Sequence, residues 1–304
     1  MSVYHSTMLS KRLLAILTLL FLGLGFASMG AASRWMNEGF GNFTQVFLRV
    51  LGAFILITII FWRDISWRKI FRLGLRDWLI LLAIGTLGYA VMVYTITKAA
   101  LLTNLVSVSV LYSTVPFWVY FYGLALSRQK FSWFIAGLLI ISSWAIGMIA
   151  SGNLVPHFGQ FGLGEILALA AAAFDAVWYM GIKLMEGKLN SREITVVALA
   201  IASISTFFMR QILGEPFSFS AFTNWHVVAA LIFGILQNGW VTPLMAFSLK
   251  HIDEVVATQI LLVENIYALC WGYFLYGETI GVIQALGVAI IITSVYLMNK
   301  IQTS

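Results

Sequence analysis

Charge is the scarcest property of this 304-residue chain: Asp, Glu, Lys and Arg together make up 10% of it, against 61% hydrophobic residues. A soluble domain carries about 25% charged and roughly 45–50% apolar residues, so no water-soluble fold accounts for this composition. Cysteine is nearly absent as well. The single Cys270 excludes an intrachain disulfide and a cysteine metal site, and it reads as a small apolar packing residue. His5, His157, His226 and His251 include no pair at metal-ligand spacing, so no metal and no cofactor is expected. No Walker-type phosphate loop occurs, which removes ATP hydrolysis from the functions open to the chain. Of only four prolines, Pro116 and Pro243 fall inside apolar stretches. There they free backbone carbonyls and make candidate hinges or kinks.

What fills the chain instead is a series of ten apolar stretches, near 13–33, 43–62, 78–97, 104–126, 131–150, 162–184, 194–212, 226–248, 255–276 and 279–298. Each approaches the about 20 residues that a helix needs to cross a bilayer, and the mean hydropathy is +0.94. The connections are short, the longest near 62–77 and 151–161, and leave no room for a soluble domain. The expected fold is all-α, a polytopic membrane protein of ten transmembrane helices with lipid as its surroundings.

The net charge of +6 is distributed by topology. Lys11, Arg12, Arg63, Arg68, Lys69, Arg72, Arg76, Arg128, Lys130, Lys183, Lys188, Arg192, Lys250 and Lys300 fall on one side of the ten stretches. Only Arg34, Lys98 and Arg210 fall on the other, and Arg49 lies within the second stretch. Basic connections stay in the cytoplasm, so both termini are expected there. Clustering beside span ends, not along one helical face, also argues against a nucleic-acid partner. Trp35, Trp62, Trp67, Trp78, Trp225 and Tyr296 near predicted ends suit interfacial belts.

A shift of 149 residues superposes the halves: Arg34-Trp35-Met36 on Lys183-Leu184-Met185, Gly85 on Gly234, Val106 on Val255, Gly123 on Gly272 and Ala136 on Ala285. That divides the chain into five-helix repeats over 1–152 and 153–304. Because five is odd, the second repeat enters the membrane from the opposite side. Inverted repeats are the signature of alternating-access transporters with a midplane site between the repeats.

Several stretches resemble the ten-helix EamA-type transporters of the drug/metabolite transporter superfamily. They are Ser28 to Arg34 closing the first helix, Phe47-Leu48-Arg49 in the second, Ala99-Ala100-Leu101 before the fourth and Pro116 within it. The second half adds Gly164 to Leu169, Val263-Glu264-Asn265-Ile266 and Leu275-Tyr276-Gly277-Glu278. The resemblance implies a secondary transporter of the inner (plasma) membrane that exports small metabolites such as amino acids. It also implies that Leu13 to Phe26, preceded by Lys11 and Arg12, is retained as the first helix although it could pass for a cleavable signal. The chain departs from the pattern at Glu264-Asn265, where Glu-Pro is usual, at Val115-Pro116, and at Leu24-Gly25 in place of Trp-Gly. Without proline at 265 the backbone N–H is restored and a source of bending is lost.

Ionisable groups at mid-bilayer cost about 2.5–3.5 kcal/mol on insertion scales and so face a cavity or a partner. Asp175 and Glu264 lie deepest, open to two readings: carboxyls that knit helices together, or a proton acceptor or anchor for a substrate amine. Arg49 is expected near the level of Glu165, with pairing between them as the structural reading; Glu165 also suits a helix start, where a carboxylate is favoured. Tyr89 and Asn238 are matched by the 149-residue shift, so a site on the pseudo-symmetry axis would use both. Met92, Val93, Tyr112, Trp178, Trp240, Thr242 and Asn265 stand near these and complete a candidate aromatic, weakly polar cavity. Packing competes with binding for each aromatic taken singly, since aromatic residues are 15% of the chain. Gly281, Ala285, Ala289 and Thr293 recur every four residues, a ridge for helix packing or for a homodimer.

The partners implied are membrane lipid, a small-molecule substrate and, through Asp175 or Glu264, protons. The rival readings are an exchanger of nucleotide sugars or other phosphorylated metabolites, for which Arg49 is meagre support, and an intramembrane aspartyl protease, whose Gly-x-Gly-Asp motif is absent. A scaffold or receptor would need longer extramembrane surfaces than these connections provide.

Overall fold

The computed structural model describes residues 2–103, 105–126, 130–155, 162–215, 219–276 and 280–301. Arg128, His157 and the Gly277-Glu278 pair lie outside them. Among the described residues ten helices are long and apolar enough to cross a membrane: Lys11–Met29, Asn42–Ile60, Leu75–Ala99, Ser107–Ala125, Trp133–Ser151, Leu163–Met185, Ser191–Ile212, Trp225–Leu249, Glu254–Trp271 and Val282–Ile301. They are called spans 1 to 10 below. The protein is a multi-pass membrane protein, and large apolar side chains such as Phe21, Ile59, Phe208 and Phe274 face outward, as lipid requires.

The principal helix pairings run between the halves of the chain. Span 1 packs on span 8, span 3 on span 6, span 2 on spans 7 and 8, span 3 on span 7, and span 5 on span 10. Exchanging each span for its counterpart five places along turns this set of contacts into itself. The molecule is therefore two inverted five-helix repeats that interlock about one axis, with neither repeat standing as a separate lobe.

The axis is clearest where spans 2 and 7 lie side by side. At one face the Glu193 carboxylate accepts from Ser66 N (3.2 Å) and Lys69 Nζ (3.4 Å). At the other, Glu215 accepts from Phe43 N (2.9 Å), Thr44 N (2.9 Å) and Thr44 Oγ1 (3.2 Å). Positions 44 and 193 are 149 apart, and so are 66 and 215, so a single inter-repeat clasp is built twice with the carboxylate on opposite partners. The Glu193 face adds the ion pairs Arg192 to Asp64 at 2.5 Å and Lys188 to Asp77. It is referred to below as the basic face.

Three spans depart from regular α-helix at corresponding depths. Span 4 stops at Tyr112 and resumes at Val115, with Pro116 in its new first turn. Span 9 stops at Leu261 and resumes at Val263 although residue 265 is asparagine. Loss of the proline does not straighten it: Asn265 donates from its backbone N (3.1 Å) and its Nδ2 (3.2 Å) to Leu262 O, the carbonyl at which the first segment ends. Span 3 carries a wide π turn over Thr86–Val91, a device that often marks functional positions. Span 8, by contrast, runs unbroken through Pro243.

The Gly281, Ala285, Ala289, Thr293 ridge does not pack inside the molecule. It is exposed, and span 10 meets span 5 through the face of Gly287, Ile291, Ser294 and Met298. At Gly287 a Cβ would lie 2.8 Å from Ala145 O, so that crossing requires glycine.

Candidate functional site

A cavity of about 290 Å³ lies where the interrupted spans meet. Spans 1, 3 and 4 line it from the first half and spans 6, 8 and 9 from the second, with Arg49 added by span 2. Its walls obey the repeat. Eight pairs of lining residues stand 149 apart: Phe26 with Asp175, Met29 with Trp178, Gly88 with Gln237, Tyr89 with Asn238, Met92 with Val241, Tyr112 with Leu261, Ser113 with Leu262 and Val115 with Glu264. Irregular backbone at membrane depth is tolerated where it lines a cavity, and the π turn of span 3 and the breaks of spans 4 and 9 all do so.

Tyr89 and Asn238, matched in the sequence, are in contact: Tyr89 Oη donates to Asn238 Oδ1 across the axis. Asn238 Nδ2 donates in turn to Gly234 O at 2.7 Å. The π turn sets Tyr89, and Gly88 before it lets span 3 approach span 6 closely, since a Cβ there would fall 2.8 Å from the Cβ and 2.9 Å from the N of Trp178.

Asp175 is buried and accepts from Tyr112 Oη at 2.9 Å. Glu264 follows the break in span 9 and faces the same space, with no hydrogen-bond partner among the described residues. Tyr112 and Tyr179 both lie within electrostatic reach of the two carboxyls. Trp178 is buried and meets Tyr179 edge-on, ring centroids 4.9 Å apart.

Arg49 enters from the second span. Its Nη1 is 3.5 Å from Ser33 Oγ, its Nε has no partner, and its stem crosses Gly234, where a Cβ would sit 2.3 Å from Arg49 Cδ. The expected pair with Glu165 is not formed. Glu165 accepts from Thr103 Oγ1 and, at 2.9 Å, from Gly162 N at the start of span 6, where free amides already satisfy it.

Three candidates do not line the cavity. Trp240 is 41% exposed and packs edge-on against Phe61, ring centroids 5.9 Å apart. The Asn265 side chain is engaged with Leu262 O at the break of span 9. Thr242 is buried but does not line the cavity either. Conversely Phe26, Met29, Gln237 and Tyr179 line it without having been singled out. Phe26 and Met29 were nevertheless within reach, since the 149-residue shift carries Asp175 to Phe26 and Trp178 to Met29.

Comparison with known proteins accords with this architecture. The family model described as the EamA-like transporter family matches twice, at residues 13–151 and 162–300. The chain belongs to the EamA-like transporter family. The two matched segments begin and end 149 residues apart, the register of the cavity pairs. A solved crystal structure of another protein is similar over 96% of this EamA-like chain and 97% of its own, with a TM-score of 0.77 at 13% identity, a likeness of fold alone. No curated protein sequence matches.

Proposed function

We propose that this EamA-like protein is a secondary transporter of the inner membrane that exports small amphipathic metabolites, amino acids or close relatives, by alternating access. The observation that carries the reading is the cavity on the inverted-repeat axis. Its walls are symmetric in backbone register, so an exchange of conformation between the repeats would open it to either side in turn. Its chemistry combines aromatic and thioether surface from Phe26, Met29, Met92 and Trp178 with amide, hydroxyl and carboxyl groups from Gln237, Asn238, Ser113, Asp175 and Glu264, which suits a small molecule that is both polar and apolar.

In this account Tyr89 and Asn238 form a latch on the axis that substrate competes for, and Trp178 and Tyr112 shape the pocket. Asp175 and Glu264 receive the amine of the substrate or a proton moving against it. The basic face lies in the cytoplasm with both termini, following the fourteen-to-three division of Lys and Arg.

The test is flux of a labelled amino-acid and metabolite panel into proteoliposomes, with and without a pH gradient, for the wild type and for the Asp175→Asn/Glu264→Gln double variant. Saturable amino-acid flux is expected, with any pH-gradient stimulation lost in the variant. Gradient stimulation that survives in the variant would remove proton antiport through these acids. Absence of flux across the panel would remove the substrate assignment.

A further inference from the structure

Arg49 poses a problem that scaffold packing does not answer. A guanidinium stays protonated in a protein, and a charge withdrawn from water without a partner is expensive. Arg49 is 8% exposed, it makes no ion pair among the described residues, and its hydrogen bonding is confined to the 3.5 Å approach to Ser33 while Nε has no partner. The fold does not need a cation at this crossing. The symmetry-related position is Ala198, and there Gly85 packs against Ala198 O and the aliphatic side chain of Ile201. One half of the cavity thus carries a buried cation that pairs with no carboxylate among the described residues.

The acids lie elsewhere. Arg49 is seven residues into span 2 and Asp175 twelve into span 6, both counted from the face opposite the basic one; at about 1.5 Å per residue their Cα atoms sit roughly 10 Å and 18 Å deep. Glu264, ten residues into span 9 from the basic face, lies roughly 15 Å from that face at the same rise. Tyr89 and Asn238 stand beside Arg49, while Tyr112 and Tyr179 stand beside the carboxyls. The cavity therefore has a cationic pole and an anionic pole.

We infer that Arg49 is an anion subsite: it binds the carboxylate of a zwitterionic substrate whose ammonium group is turned towards Asp175 and Glu264. The inference rests on the transporter reading above and narrows it. A guanidinium presents paired N–H donors that match a carboxylate, and Arg49 is the residue that brings such a group to the cavity wall. Bound substrate would place a counter-charge beside the guanidinium, so a molecule without a carboxylate would leave the cation buried and unpaired.

The test compares each transported amino acid with its amide and its decarboxylated amine in the same proteoliposomes, for wild type, Arg49→Lys and Arg49→Gln. In wild type the carboxylate-bearing compound is expected to be favoured at least 10-fold in kcat/KM over both analogues. Arg49→Gln is expected to reduce that preference to within about 2-fold, by losing the carboxylate substrate and keeping the amine, and Arg49→Lys to retain part of it. Equal competition by the amide in wild type, a reading that needs no variant, would overturn the subsite. So would undiminished preference in Arg49→Gln. These outcomes leave amino-acid transport standing, whereas absence of flux for every panel compound in wild type removes the transporter reading and the subsite together.

Discussion

The two halves of this protein share a backbone plan and differ in chemistry. At eight paired cavity positions the first half places Phe26, Met29, Gly88, Tyr89, Met92, Tyr112, Ser113 and Val115, and the second places Asp175, Trp178, Gln237, Asn238, Val241, Leu261, Leu262 and Glu264. Among the described lining residues the thioethers and the one cation come from the first half, both carboxyls and both amides come from the second, and each half contributes hydroxyls. The difference separates two requirements. Repeat symmetry in the scaffold gives two equivalent ways of packing the halves, which alternating access demands. In the proposed transporter, asymmetry of the lining gives a substrate a fixed orientation, which recognition demands.

The largest expected effect comes from erasing the carboxyls, which turns the second half towards the neutral character of the first. Asp175→Asn/Glu264→Gln is expected to lower amino-acid kcat/KM roughly 100-fold, in the range of 2–5 kcal/mol for removing one side of a buried charged contact. Proteoliposome flux measures it, and a loss below about 3-fold would show that the acids only hold helices together. The single change Glu264→Val, which copies Val115, separates its share from that of Asp175.

Next in size is Gly88→Ala. Gln237 shows that the paired position accepts a long side chain, whereas a Cβ at Gly88 meets the backbone of Trp178 at 2.9 Å. Overpacking of this kind costs about 1–3 kcal/mol, so a fall in Tm of detergent-solubilised protein is expected. Gly25→Ala serves as the control, since its Cβ would meet Gln237 at an ordinary 3.7 Å. Equal Tm for both variants would contradict the close crossing of spans 3 and 6.

The two clasps of spans 2 and 7 permit a smaller, paired comparison. Glu193→Gln loses charge-assisted bonds to Ser66 and Lys69, and Glu215→Gln loses those to Phe43 and Thr44. Each is expected to cost about 1–2 kcal/mol, as hydrogen bonds to charged groups do. Similar losses in thermal unfolding would mark one device used twice. A neutral Glu215→Gln would restrict it to the basic face.

The smallest expected effect lies at the start of span 9. Asp253 caps it by accepting from Val255 N at 3.0 Å, and burial, followed by the neighbouring Glu254 charge, raises its carboxyl above the usual range. A folded carboxyl that holds its proton more tightly than the unfolded one favours the fold at low pH, and that contribution is lost as pH rises through the interval between the two values. Asp253→Asn, the residue found at the paired position 104, keeps the capping oxygen and removes the loss. A slightly higher Tm is expected at pH 7, fading towards about pH 4; the same gain at both pH values would contradict the charge argument.

Much of this was legible in the sequence, and the rest was not for identifiable reasons. Hydropathy placed the ten spans because a bilayer demands long apolar runs, and the 149-residue register brought out Tyr89 with Asn238 before their contact was known. Helix rotation was not legible where nearly every face is apolar, which is why Trp240 proved to pack on Phe61 and the small-residue ridge of span 10 proved to face outward. The break in span 9 was obscured because proline is the familiar cause, whereas here an asparagine side chain bonds the carbonyl at which the first segment ends. The partner of Glu165 was obscured too, since depth alone set Arg49 beside it and the hydroxyl of Thr103 on a neighbouring connection carries no charge to notice.

The central claim is that one cavity is shared by two alternately opened sides. Trans-stimulation tests it most directly: proteoliposomes preloaded with an unlabelled transported amino acid should take up the labelled compound several-fold faster than empty ones at first, because the loaded site reorients more readily than the vacant one. Uptake that neither saturates nor responds to substrate on the far side would contradict alternating access and describe a channel.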